Sequence, residues 1–188
     1  LTMLPEGLTE PQVEHLEDRD WVAHALQGLG VVRAGSFILY GRHDRDKARA
    51  LDGIPLEIEA NQAFGTGHHP TTAGCLEALS RLQSETVTSV ADIGTGSGVL
   101  AFASRKLWPN ASVLATDIDA TSVDIAKVNA ATNDVEGVTW HVGDGFPESA
   151  SVNAPKFDLI IANILAGPLI ELSAPIKNHL TDDGWVVL

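Results

Sequence analysis

Cysteine is all but missing from this 188-residue sequence, Cys75 being the only one. That excludes an internal disulfide and any cysteine-rich zinc site, and it suits a reducing compartment, so a cytoplasmic protein is expected. Basic residues are also scarce. Twelve Lys and Arg against 25 Asp and Glu leave a formal net charge of −13. Such a chain has little affinity for nucleic-acid phosphates, so no direct nucleic-acid contact is expected; a basic partner is favoured, or the charge serves solubility alone. No apolar run is long enough to span a bilayer and no signal-peptide pattern opens the chain, so no membrane role is expected. Internal repeats and low-complexity segments are absent as well.

What remains is enough for one domain with a full core and a short accessory segment. The sequence opens on Leu1 and stops at Gly184-Trp185-Val186-Val187-Leu188, which reads as the middle of a buried strand. A fragment is therefore expected, with one or more edge strands beyond Leu188. Residues 1–60 read as a connector and the remnant of an N-terminal substrate-binding region, and 61–188 as the main domain. Within the connector, Asp20 to Leu26 reads as a short capped helix. Val31 to Tyr40, broken by Gly35, reads as a hairpin or two short strands. Arg42 to Arg49 is a charged stretch expected as a solvated loop or helix face and not a site, and Pro55 to Glu59 alternates like a half-exposed strand.

From Thr72 onward strands and helices alternate. Helices are expected over Thr72–Leu82, Gly98–Leu107, Ala120–Thr132 and Leu165–His179. Strands are expected over Val87–Ile93, Ser112–Thr116, Val138–Val142, Phe157–Ala162 and Trp185–Leu188. This rhythm predicts an α/β fold, a doubly wound and mostly parallel sheet with helices on both faces.

The organising stretch is Asp92-Ile93-Gly94-Thr95-Gly96-Ser97-Gly98, a glycine turn between a strand and a helix. Gly94 and Gly96 let the backbone turn and approach a ligand without Cβ atoms in the way, and the helix N-terminus offers free N–H donors. The third glycine comes one position earlier than in the dinucleotide fingerprint, and Asp92 precedes the loop. A carboxylate there repels a pyrophosphate and suits a ligand with an ammonium group, such as S-adenosylmethionine. A tight turn in another α/β protein is the plainer alternative.

Other candidates fall at strand ends. Asp117 follows the first glycine by close to the ~20 residues at which an acid accepts hydrogen bonds from a ribose. A helix cap is the competing role, better suited to Asp119. Asp144, in Gly143-Asp144-Gly145-Phe146, has the placement to accept from an adenine amino group, although the sequence is also a plain turn. Asn163 ends a very apolar strand where a methyl acceptor belongs; its amide can orient an amine lone pair, or cap the next helix. Thr72 stands near a helix start and either bonds a ligand or caps that helix. His68 and His69 invite a metal reading, but no second ligand pair stands at a recognised spacing, so no metal site is expected. Cys75 is expected to be packed rather than reactive.

Taken together, Ala63 to Thr72 (AFGTGHHPTT), the DIGTGSG loop, Asp117-Ile118-Asp119 and Asn163 to Leu169 (NILAGPL) resemble the methyltransferases of the ribosomal protein L-eleven. That family belongs to the class I methyltransferases, which use S-adenosylmethionine. The resemblance implies that Thr72, Gly94, Asp117 and Asn163 contact the methyl donor. It further implies an N-terminal domain that docks on the basic ribosomal protein. Related enzymes that methylate amide nitrogens carry Asn-Pro-Pro-Tyr where this sequence has Asn163-Ile164-Leu165-Ala166, a departure that suits an amine acceptor. Competing readings are a class I methyltransferase of another protein lysine or a small molecule, and a nucleotide-binding module without that activity.

Overall fold

The structure is a computed structural model and describes residues 30–58, 70–147 and 156–188. The expected helix at Asp20–Leu26, with the paired histidines His68 and His69, lies outside them. In the first stretch Gly35, at φ +58°, turns the chain between β1 (Val32–Ala34) and β2 (Phe37–Tyr40), which pair antiparallel as a hairpin. A Cβ on Gly35 would fall 2.2 Å from the Ser80 hydroxyl oxygen, so the turn needs glycine for close approach as well as for conformation. A 3-10 turn (Arg42–Asp44) and the short helix α1 (Arg45–Arg49) follow, and β3 (Ile54–Glu57) joins β2 in parallel.

Two expectations for this region are corrected. The charged stretch 42–49 is not simply solvated: Asp44 is buried, with Lys47 Nζ at 2.5 Å and His43 Nε2 at 3.0 Å from its carboxylate. Nor is β3 half-exposed, because Leu56, Glu57 and Ile58 are all buried. A carboxylate tolerates that burial only when paired, and the Arg45 guanidinium grips Glu57 through two bonds of 2.7 and 2.6 Å.

The rest is the expected alternation. α2 (Pro70–Leu82) opens on proline, whose missing N–H is not needed in a first turn. Then come β4 (Ser89–Ile93), α3 (Val99–Leu107), β5 (Ser112–Asp117), α4 (Ala120–Thr132), β6 (Val138–Val142), β7 (Phe157–Ile161), α5 (Ala166–His179) and β8 (Leu180–Val187). The last five strands form a parallel sheet in the order β6-β5-β4-β7-β8. β8 begins earlier than expected and is not a buried strand: Trp185 and Val186 are 47% and 39% exposed, because β8 lies at the sheet edge and pairs with β7 alone among the described strands.

Alternation along β4 divides the core between two faces. Val90 packs with Leu76 and Leu79 of α2 and Leu100 and Phe102 of α3, and Ala91 and Ile93 pack toward Ile176 and Leu172 of α5. Helices therefore cover both faces of the sheet. Phe37, Leu39 and Leu56 of the small sheet belong to the first of these clusters. The described part of the expected connector, residues 30–58, thus shares a core with the main domain.

Candidate active site

The strand order turns over at β4: β5 and β6 lie to one side of it, β7 and β8 to the other. In an open parallel sheet the ligand crevice lies outside the carboxyl ends of the strands at that switch. The loop after β4 and the segment after β7 flank it here.

Gly94, Gly96 and Gly98 have φ of +70°, +54° and +88°, a region that costs a residue with a side chain roughly 1–2 kcal/mol. Alternate left-handed turns coil the loop tightly, and its main chain is tied on both sides. The Thr95 N–H donates to the Thr116 carbonyl at 2.8 Å, the Gly98 N–H to the Thr95 carbonyl at 2.9 Å, and the Gly96 N–H to Asp117 Oδ2 at 2.9 Å.

Asp92 lies beneath this loop rather than in the crevice. It is 1% exposed, accepts a 2.6 Å bond from the Thr95 hydroxyl and is also held by the backbone N–H of Ala101. The alternation of β4 turns this side chain to the same face as Val90. Burial pushes its carboxyl up to about 6, against the pull of the Thr95 bond. The same burial, with the Asp92 charge nearby, raises the Cys75 thiol to about 11. Cys75 is buried and inert, as expected.

Asp117 sits half-buried at the carboxyl end of β5. Its Oδ2 accepts from the Gly96 N–H and its Oδ1 from the Asp119 N–H at 3.0 Å, so it braces the glycine loop while each oxygen keeps a further lone pair. Capping of α4 falls to Asp119, as the sequence suggests. Its carboxylate accepts from the Thr121 and Ser122 N–H groups at 3.0 and 3.1 Å, and these bonds hold it below the usual carboxylate range.

On the other side of the crevice, Asn163 Nδ2 donates to Thr72 Oγ1 at 3.0 Å. Two candidates far apart in sequence are thus brought together. Thr72 is fully buried and Asn163 half-buried. Ile164, next along, presses on the glycine loop: its Cγ2 lies 2.2 Å from the place of a Cβ on Gly94. Asp144 is exposed beyond β6. Its neighbour Phe146 turns into the core, stacked on His179 with centroids 4.0 Å apart and on Phe157 at 5.9 Å. Phe146 therefore anchors the Asp144 loop.

Sequence reasoning missed Asn129 and Asn133. Asn129 Nδ2 donates to the Ser97 carbonyl at 3.0 Å, tying α4 to the glycine loop. Asn133 bonds both main-chain groups of Glu57, at 2.8 and 2.7 Å, and the Asn129 carbonyl at 2.8 Å. The available signal was their spacing of one helical turn, with an amide among alanines on the buried face. Among the described residues no cluster of His, Cys, Asp and Glu could hold a metal ion, and no helix is long and apolar enough to cross a membrane.

Comparison with known proteins agrees with this geometry. The family model for "Ribosomal protein L11 methyltransferase (PrmA)" matches residues 3–188. Proteins named ribosomal protein L11 methyltransferase from Allorhizobium ampelinum and Brucella suis are 48% and 51% identical, over 100% and 93% of this chain and 64% and 61% of their own length. The chain thus spans about three-fifths of these relatives. A crystal structure of a ribosomal protein L11 methylase from Lactobacillus delbrueckii subsp. bulgaricus superposes with a TM-score of 0.71 at 34% identity, covering 84% of this chain and 78% of the other. A precorrin-6y C5,15-methyltransferase from Geobacter metallireducens shares the fold alone, at 20% identity and a TM-score of 0.52 over 60% of this chain and 59% of its own.

Proposed function

The chain belongs to the ribosomal protein L11 methyltransferase family, and from that premise we propose that it transfers methyl groups from S-adenosylmethionine to lysine or N-terminal amines of ribosomal protein L11. The observation that carries this reading is the approach of the glycine-rich loop and the segment after β7 across the switch between β4 and β7, where Ile164 lies against Gly94 and Asn163 bonds Thr72. The donor set fits an adenosyl amino acid: the backbone is bare of Cβ atoms at Gly94 and Gly96, and Asp117 has lone pairs to spare at the edge.

S-adenosylmethionine supplies an electrophilic methyl group on a sulfonium sulfur. Asp117 accepts from ribose hydroxyls, Asp144 from the adenine amino group, and Gly94 and Gly96 admit the backbone-hugging part of the ligand. Asp92 contributes from below, holding the loop through Thr95. On the acceptor side, a lysine ammonium of pKa ~10.4 must lose its proton before it can attack. A water-excluding pocket lowers that pKa, and the described crevice presents no evident general base. Asn163 therefore orients the neutral amine by accepting one of its N–H bonds, and alignment supplies most of the rate. With a net charge of −13 the protein suits a basic polypeptide acceptor in the cytoplasm, without direct contact to nucleic acid.

Calorimetric titration with S-adenosylhomocysteine, followed by mass spectrometry of ribosomal protein L11 incubated with the full-length protein and S-adenosylmethionine, tests the proposal. Binding lost in Asp117→Ala, together with mass gains in steps of one methyl on the ribosomal protein, is expected. Donor binding with methyl groups appearing on a different protein would redirect the acceptor assignment. A folded protein that binds no donor would overturn the reading.

A further inference from the structure

We propose that Thr72 acts on methyl transfer through Asn163, as a positioning residue whose hydroxyl fixes the direction of the Asn163 amide. The inference rests on the functional reading above.

Asn163 has two sources of freedom, its backbone and its side-chain torsions, and each has a separate restraint. The backbone is fixed by the next residue: Ile164 is wedged against Gly94, within the volume a Cβ there would require, and it packs with the cluster beneath α5. The segment cannot swing without either dislodging Ile164 or displacing the glycine loop. The torsions are a different matter. The terminal torsion of an asparagine is broad and nearly two-fold, so an amide at a strand end samples both faces unless something holds it. The hydrogen bond to Thr72 is the contact that does so, and it consumes an Nδ2 donor, leaving Oδ1 as the acceptor for an amine N–H.

Thr72 is itself firmly held. It is fully buried in the first turn of α2, a helix packed into the sheet core through Cys75, Leu76 and Leu79. Its hydroxyl thus transmits the rigidity of that core to a half-buried side chain at the crevice. A positioning role makes a particular prediction: loss of the hydroxyl should lower the rate at saturation, because a misaligned acceptor reacts slowly however well it binds.

The test compares Thr72→Val, which removes the hydroxyl at nearly constant shape, with Thr72→Ser, which keeps it. Steady-state kinetics are measured on the full-length protein with ribosomal protein L11 and S-adenosylmethionine, alongside thermal melts. A fall in kcat of about tenfold or more in Thr72→Val, with near wild-type kcat in Thr72→Ser, is expected. Thr72→Ala, which adds no bulk, gives the same comparison if the valine variant does not fold. Unchanged kcat in the variants lacking the hydroxyl overturns the inference, even if donor affinity falls. So does an equal loss in Thr72→Ser, which would make packing the cause. A wild-type protein that binds donor and transfers no methyl group overturns the functional reading and this inference with it; normal wild-type transfer with normal Thr72→Val kcat overturns this inference alone.

Discussion

Ile164 fills the space that a side chain at position 94 would need, its Cγ2 standing 2.2 Å from the place of a Gly94 Cβ. The glycine loop and the segment after β7 are therefore in direct contact. Gly94→Ala should clash there and strain a φ of +70°, destabilising the protein by about 1–3 kcal/mol and weakening S-adenosylhomocysteine binding. Adding Ile164→Ala to Gly94→Ala should restore part of that binding, as read by calorimetry. A double variant no better than the single one would mean that backbone strain, and not the clash, dominates.

Asn163→Ala should cut the rate of methyl transfer at saturating donor by at least tenfold if its side chain orients the acceptor. Full activity with normal donor binding would remove Asn163 from the mechanism.

Asp92 gives the stability a defined dependence on pH. Its carboxyl is raised to about 6 in the folded chain from an ordinary 3.8, chiefly by burial and against the Thr95 bond. The folded state thus keeps a proton that the unfolded state has already released. The stabilisation this provides is complete below about pH 4 and is lost as pH rises to about 6, amounting to about 3 kcal/mol at most. Asp92→Asn removes the titration. Subtracting wild-type from variant stability, measured by urea denaturation, should give a difference that grows in favour of the variant between those limits and is flat above them. A difference constant across the range would place the proton elsewhere.

Asn133→Ala should be costly for a side chain that touches no ligand. Both main-chain groups of Glu57 would lose their partner in a buried setting, each loss costing about 1–3 kcal/mol. A fall in the urea midpoint equivalent to about 2 kcal/mol or more is expected, with donor affinity little changed once folding is complete. A variant as stable as wild type would mean that water replaces the amide.

Much of this architecture was legible because its strands and helices carry the right periods. α4 and β6 fall where their patterns begin and end, at Ala120–Thr132 and Val138–Val142. Gly94, Asp117 and Asn163 were legible as candidates because each sits at a strand's carboxyl end, a position the alternation of elements fixes. What could not be read were contacts between distant parts of the chain. Glu57 looked like the polar face of a strand because its partner Arg45 and the amide of Asn133 come from other elements. The burial of Asp92 beneath the loop was not legible because only the register of β4 decides which way it turns. Thr72 and Asn163 were each singled out, but the bond between them spans 91 residues, and no local pattern encodes it.

β4 and β7 are hydrogen-bonded neighbours, with Asp92 opposite Ile161. Gly94 stands two residues beyond the one and Asn163 two beyond the other. The lateral gap between the two sides of the crevice is therefore about one strand spacing, ~4.8 Å, set by peptide groups that are indifferent to the side chains they carry. Reach and selectivity are inherited separately in such a scaffold. Residues along the edge are free to drift, and the ladder underneath preserves the spacing between the two segments.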